Sequence, residues 1–127
     1  MVPYDDIETL KERSAQDLLV AELIVNTNDE LLEHIGFNLQ QFIEKKMKVC
    51  LQERNIDYPK THDLVLLLRS FPQGRITDDD KSFAHILSRF AVESRYGKRS
   101  VPPMDGRQLL ERTKRFAEMI ETLWEDV

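Results

Sequence analysis

The sequence predicts an all-α protein, an up-and-down antiparallel helical bundle of four long helices plus one short helix, and three observations carry that prediction. Apolar residues recur at steps of three and four through four long segments, the spacing that lines one side of an α-helix. Helix-favouring Leu, Glu, Lys, Arg and Gln dominate, with only four glycines and five prolines to interrupt them; sheet proteins need more turn-forming residues than that. No segment alternates apolar and polar residues with the period of two that marks a half-buried strand, and the chain contains no internal repeat.

The first helix is predicted over Asp6–Val25. Ile7, Leu10, Ala15, Leu18, Leu19 and Leu23 form its expected core face, with Glu8, Lys11, Glu12 and Glu22 opposite. The run Asn26-Thr27-Asn28-Asp29 ends it and offers N-caps for the next helix. That second helix, expected over Asp29–Arg54, is the longest and places Leu31, Ile35, Leu39, Phe42, Met47, Cys50 and Leu51 inward. Gly36 in its middle costs about 1 kcal/mol relative to alanine, a penalty that a close helix–helix approach would explain. A polar connection follows from Asn55 to Lys60.

Thr61-His62-Asp63-Leu64 opens the short third helix. Thr61 is the expected N-cap, its hydroxyl accepting a backbone N–H bond from the first turn, and Asp63 places negative charge at the positive end of the helix dipole. Leu64 to Leu68 is apolar, and Pro72 closes the element near Phe71. Asp78-Asp79-Asp80 then supplies a cap and first turn for the fourth helix, about Asp79–Ser94, with Phe83, Ile86, Leu87, Phe90 and Ala91 inward. Pro102-Pro103 interrupts the chain again. The last helix, about Gly106–Glu125, carries Leu109, Leu110, Phe116, Ala117, Ile120, Leu123 and Trp124 in one broad stripe.

At 127 residues, 41% apolar and 32% charged, the chain is expected to form one domain over 1–127, with residues 1–5 flexible ahead of the first helix. Cys50 is the only cysteine, so an internal disulfide and a multi-thiolate zinc site are excluded. Its apolar helical setting makes a buried, inert thiol the expected role. The first residues have neither the basic start nor the apolar run of a secretory signal, and no apolar stretch approaches the length of a membrane span. A soluble, cytoplasmic protein with no membrane association is the expectation. The net charge of −5 argues against general nucleic-acid binding, which rests on neutralising phosphates, although a local basic patch escapes that argument.

The usual chemical signatures are missing. Glycines 36, 74, 97 and 106 form no phosphate-cradling loop, and histidines 34, 62 and 85 form no i, i+4 pair of metal ligands. The Asp78–Asp80 run is explained by its place in a helix first turn. Neither a metal nor a cofactor is expected.

Two clusters remain. Gln41, Glu44, Lys45 and Lys48 recur at steps of three and four on the second helix and therefore share a face. They read either as a solvated stripe laced by Glu44–Lys48 pairing, or as a polar groove receiving an anionic or base-bearing ligand. Arg95-Tyr96-Gly97-Lys98-Arg99 is the most basic spot in an acidic chain. Cations suit a helix C-terminus and Gly97 suits the left-handed residue beyond it; alternatively Arg95 grips phosphate while Tyr96 stacks on a base.

Taken in order, Gln-Gln-x-x-Glu-Lys-x-x-Lys at Gln40–Lys48, Pro-x-Thr-His-Asp-Leu at Pro59–Leu64 and Arg-Tyr-Gly at Arg95–Gly97 resemble the HEPN domain. Ala15-Gln16-Asp17-Leu18 and the C-terminal helix also fit, so the resemblance spans nearly the whole chain. It implies a helical bundle, a homodimer or hetero-oligomer, and in prokaryotes a frequent pairing with a minimal nucleotidyltransferase, as in toxin–antitoxin pairs. Ribonucleases of the family carry Arg, four to six residues, then His. After Arg95 the corresponding positions hold Ser100, Val101 and Pro102, and Arg54 precedes His62 by one residue too many. Gly97 also stands where proline is common. With no such imidazole to move a proton, no catalytic residue is assigned.

The expected function is therefore a non-catalytic protein that binds a nucleotide or RNA end and a nucleotidyltransferase partner. The alternatives are a purely protein-interacting subunit and a metal-independent ribonuclease with an unconventional site built from His62 or His85. The candidate ligand-binding residues are Gln41, Glu44, Lys45, Lys48, His62, Asp63, Arg95, Tyr96, Lys98 and Arg99.

Overall fold

The computed structural model describes residues 5–93 and 104–125. The Arg95–Arg99 cluster and residues 1–4 lie outside them. The described residues are helical and contain no strand. Five helices run in the order α1 (Ile7–Thr27), α2 (Leu32–Glu53), α3 (Leu64–Leu68), α4 (Asp78–Glu93) and α5 (Gly106–Glu121). The bundle is built around α2, which packs on each of the other four and most extensively on α1.

Local chemistry sets the ends. Asp6 caps α1 by accepting the Thr9 N–H at 3.1 Å. Asn55 follows α2 with a φ of 55°, a left-handed conformation that asparagine tolerates better than most residues, and the Ile56 N–H reaches back to the Leu51 carbonyl at 2.9 Å. Ahead of α4, the Thr77 and Asp80 side chains each accept the other's backbone N–H, at 3.0 and 2.9 Å. Asp105 and Gln108 form the same reciprocal box at the start of α5.

Two expected caps move. Thr61 does not cap α3: Asp63 does, accepting the Val65 N–H at 2.9 Å, while the Thr61 hydroxyl accepts the Asp63 N–H at 3.0 Å and shapes the approach. The α2 helix begins not at Asp29 but after Leu31, which has no side-chain cap bond. Asn28 instead spends its side chain on the Glu30 N–H in the preceding turn.

The core joins Ile35, Leu39, Ile43, Met47 and Leu51 of α2 to Leu64 and Leu67, to Phe83, Leu87 and Phe90, and to Leu109, Phe116 and Ile120. Gly36 has the expected reason: a Cβ there would enter the ring of Phe90, so its absence lets α4 close on α2. Gly106 sits as tightly, its missing Cβ facing Ile35 and the Asp29 carbonyl. Cys50 is buried, and burial pushes its thiol pKa up, the environment of an unreactive cysteine.

The expected inward face of α1 is corrected. Leu10 is buried, but Leu19 and Leu23 are 56% and 57% exposed and Ala15 is exposed; Leu31, expected on the core face of the second helix, precedes α2 and is 44% exposed. Ser14, Ala21 and Val25 are buried instead. Apolar residues occur on both sides of α1, so periodicity does not single out one. The choice is fixed by polar anchors on α2: Ser14 Oγ donates to the Phe42 carbonyl at 3.1 Å, and Asp17 pairs with Lys45.

Candidate functional site

The face of α2 carrying Gln41, Glu44, Lys45 and Lys48 is not a solvated stripe. Glu44 is only 4% exposed and Gln40, one turn before it, is 0% exposed, because α3 approaches this part of α2. A carboxylate at such depth requires partners, and Glu44 has three. Its Oε1 accepts the Gln40 amide at 3.0 Å and lies 2.9 Å from His62 Nδ1, while its Oε2 takes the Lys48 ammonium at 3.1 Å. Gln40 also donates to the His62 backbone carbonyl at 3.0 Å, so α2 holds His62 by both main chain and ring. Burial pushes the Glu44 carboxyl pKa upward, but the Gln40 amide, the Lys48 charge and the His62 hydrogen bond outweigh it and hold the group below its usual value. Glu44 is thus an anion at neutral pH.

Of the other two members of the face, Gln41 stays beside Gln40 and Lys45 turns to α1. Lys45 pairs with Asp17 of α1 and approaches Gln41 Oε1 at 3.5 Å, while the Gln41 amide donates to Gln40 Oε1 at 2.6 Å. Of these contacts, the Lys45–Asp17 pair docks α1 onto α2.

The His62 side chain is 72% exposed. It lines a cleft of about 480 Å³ between the start of α3 and the α4 helix, with Thr61, Asp63, His85, Ser88, Arg89 and Ala91, within the size range of small-ligand sites. His85, Ser88 and Arg89 come from one face of α4 through their three- and four-residue spacing. Ser88 Oγ accepts the Leu64 N–H at 2.9 Å and joins the two walls. Asp63 contributes its carboxylate to the rim while capping α3.

The structure therefore brings Glu44, Lys48 and His62 into one network, which Gln41 joins through Gln40, places Asp63 beside it, and turns Lys45 toward α1. Arg95, Tyr96, Lys98 and Arg99 lie outside the described residues. Sequence reasoning left out Gln40, Ser88 and Arg89 as site residues and raised His85 only for the ribonuclease alternative. Gln40 was detectable as the residue one turn before Glu44, and the α4 trio as a polar set on one helical face. Their meeting with His62 depends on the packing of α3 against α4.

Two imidazoles, a guanidinium and a hydroxyl converge here. The guanidinium suits a phosphate and the imidazoles can donate or accept hydrogen bonds. Among the described residues no group of three or more His, Cys, Asp or Glu side chains could hold a metal ion, and no helix is long and apolar enough to cross a membrane. A second hollow of about 390 Å³ lies among α1, α2 and the end of α5. Its charges close on one another, Lys11 with Glu53 at 3.3 Å and Lys46 with Glu121, which makes the α3–α4 cleft the better candidate.

Comparison with known families gives one match, to the model described as HEPN domain, over residues 7–123. No curated protein and no solved structure matches the chain.

Proposed function

Because this chain belongs to the HEPN domain family, we propose that it is a non-catalytic member that binds a nucleotide or RNA end and docks on a protein partner, a minimal nucleotidyltransferase of the toxin–antitoxin type. The observation that carries the ligand half of this reading is the cleft where His62, His85, Ser88 and Arg89 converge. It offers cationic and hydrogen-bonding groups over a volume suited to a nucleotide. The absence of the Arg, four to six residues, His spacing from the sequence supports binding without turnover. The setting proposed is cytoplasmic, as a homodimer or hetero-oligomer.

Titration calorimetry with a 5′-phosphorylated oligoribonucleotide tests the ligand half. Binding should weaken several-fold in Arg89→Ala and in Arg95→Ala, with the helical circular dichroism unchanged; no binding by the parent protein would refute the reading. Incubation with RNA in chelator separates binding from cleavage, and cleavage lost in His62→Ala and His85→Ala would favour the ribonuclease alternative. Affinity purification from the native host tests the partner half, which requires a nucleotidyltransferase among the co-purifying proteins.

A purely protein-interacting role has one observation in its favour, the exposed apolar surface of Leu19, Val20, Leu23 and Leu31. Such surfaces mark contact sites when they are contiguous. That reading predicts partner binding that survives Arg89→Ala and is lost in a Leu19→Gln, Leu23→Gln double variant.

A further inference from the structure

The ring of His62 is held in one particular way, and that has a chemical consequence for the cleft. Glu44 Oε1 receives the Gln40 amide at 3.0 Å and faces His62 Nδ1 at 2.9 Å. An ionised carboxylate can only accept hydrogen bonds. The hydrogen in the His62–Glu44 contact must therefore sit on Nδ1. In the neutral imidazole that leaves Nε2 without a hydrogen, as an acceptor. Free histidine in water prefers the opposite tautomer, so the arrangement is imposed by the fold.

Three features make the imposition firm. Glu44 is buried and cannot swing to solvent. Its second oxygen is occupied by Lys48 at 3.1 Å. Gln40 fixes the His62 backbone as well, through the carbonyl at 3.0 Å. The ring itself remains largely exposed and forms part of the cleft wall, opposite His85, Ser88 and Arg89 and beside Asp63. Among the described residues nothing bonds to Nε2.

We propose that Glu44 is a positioning residue that fixes His62 as the Nδ1–H tautomer, so that Nε2 is presented to the cleft as an acceptor and receives a hydroxyl of the ligand, not a phosphate oxygen. Phosphate then falls to Arg89, whose planar fork suits it, and the two walls divide the recognition between them. This rests on the reading of the cleft as a nucleotide site; for such a ligand the hydroxyl is that of the ribose. Glu44 touches no ligand and works through His62 alone.

Two measurements decide the matter. In the free protein, two-dimensional ¹H–¹⁵N spectra of the neutral imidazoles should show Nδ1 of His62 carrying the hydrogen. In Glu44→Met the same ring should revert to the Nε2–H form. A parent spectrum with Nε2–H would overturn the proposal without recourse to any variant, which matters if Glu44→Met does not fold. Second, a 5′-phosphorylated oligoribonucleotide should bind roughly fivefold more tightly than its 2′-O-methyl counterpart, the order expected for one hydrogen bond. His62→Phe, at an exposed position, should erase that preference. An unchanged preference in His62→Phe would overturn the assignment of the hydroxyl to His62. If neither strand binds, the nucleotide reading of the cleft fails together with the hydroxyl assignment, while the tautomer of the free protein still decides the role of Glu44.

Discussion

The inner face of α2 and the outer face of α1 invert the usual order of polarity. On α2, Gln40 and Glu44 lie at 0% and 4% exposure; on α1, Leu19 and Leu23 lie at 56% and 57%. The asymmetry in cost explains why both occur in one small bundle. A buried polar group is tolerated only with its hydrogen bonds made, and Glu44 has Gln40, Lys48 and His62 around it. An exposed leucine needs no partner and costs only the burial it forgoes. The α2 seam is therefore dictated by complementary residues on two helices and the α3 approach, whereas the α1 surface is the side that none of the described residues covers.

The sharpest way to break the comparison is to remove the charge at the centre of the seam. Glu44→Leu leaves Lys48, Gln40 and the His62 ring without their shared acceptor and should destabilise the protein by about 3 kcal/mol, the lower end of the range for a broken buried pair because Lys48 can still reach water. Urea unfolding measures it, and a loss under about 1 kcal/mol would mean that the seam is not held electrostatically. Acid should act in the same direction. The folded-state pKa of Glu44 lies below its usual value, so its contribution is complete above the ordinary carboxyl range and is lost as pH falls through that range toward the lowered value. Glu44→Gln should flatten this part of the stability profile, and an unaltered acid slope would contradict the assignment.

Next in size is Gly36→Ala. Its new methyl would collide with Phe90, and overpacking of this kind costs about 1–3 kcal/mol, more than the gain of about 1 kcal/mol in helix propensity returns. A variant more stable than the parent would show that α4 can retreat from α2. Smaller again is Asp17→Asn, which weakens the Lys45 pair between α1 and α2; a largely shielded pair of this sort merits about 1 kcal/mol. Least of all, Leu19→Gln should change the stability of the isolated chain by no more than about 0.5 kcal/mol. A large loss there would show that the outer face of α1 is covered in solution, and sedimentation of the two proteins would then reveal the covering copy.

The helices themselves were legible in the sequence, and for a local reason. The stripes of α2, α4 and α5, the acidic start of α4 and the glycine that opens α5 are written within a few residues of where they act. Phe83, Leu87, Phe90, Leu109, Phe116 and Ile120 are buried as their spacing indicates. The rotation of α1 was not legible, because Leu19 and Leu23 compete with Ala21 and Val25 for the inside and only Ser14 and Asp17, meeting α2, settle it. The α3 cap was misplaced by two residues because Thr61 and Asp63 are both competent, and which one acts follows from where the chain bends.

The candidate site divides along the same line. Glu44 and Lys48 are partners by helical spacing, four residues apart, and could be paired from the sequence. That Glu44 is buried, that His62 closes on it across eighteen positions, and that His85 and Arg89 stand opposite, belong to no local pattern. The sequence by itself determined a helical chain, the polar and apolar stripes each helix carries, and membership of a family through three ordered motifs. Only the tertiary structure decided which stripes face inward and how an imidazole is oriented. Helix formation depends on neighbours three and four residues away, whereas burial and ring orientation depend on whatever another helix brings to the same place.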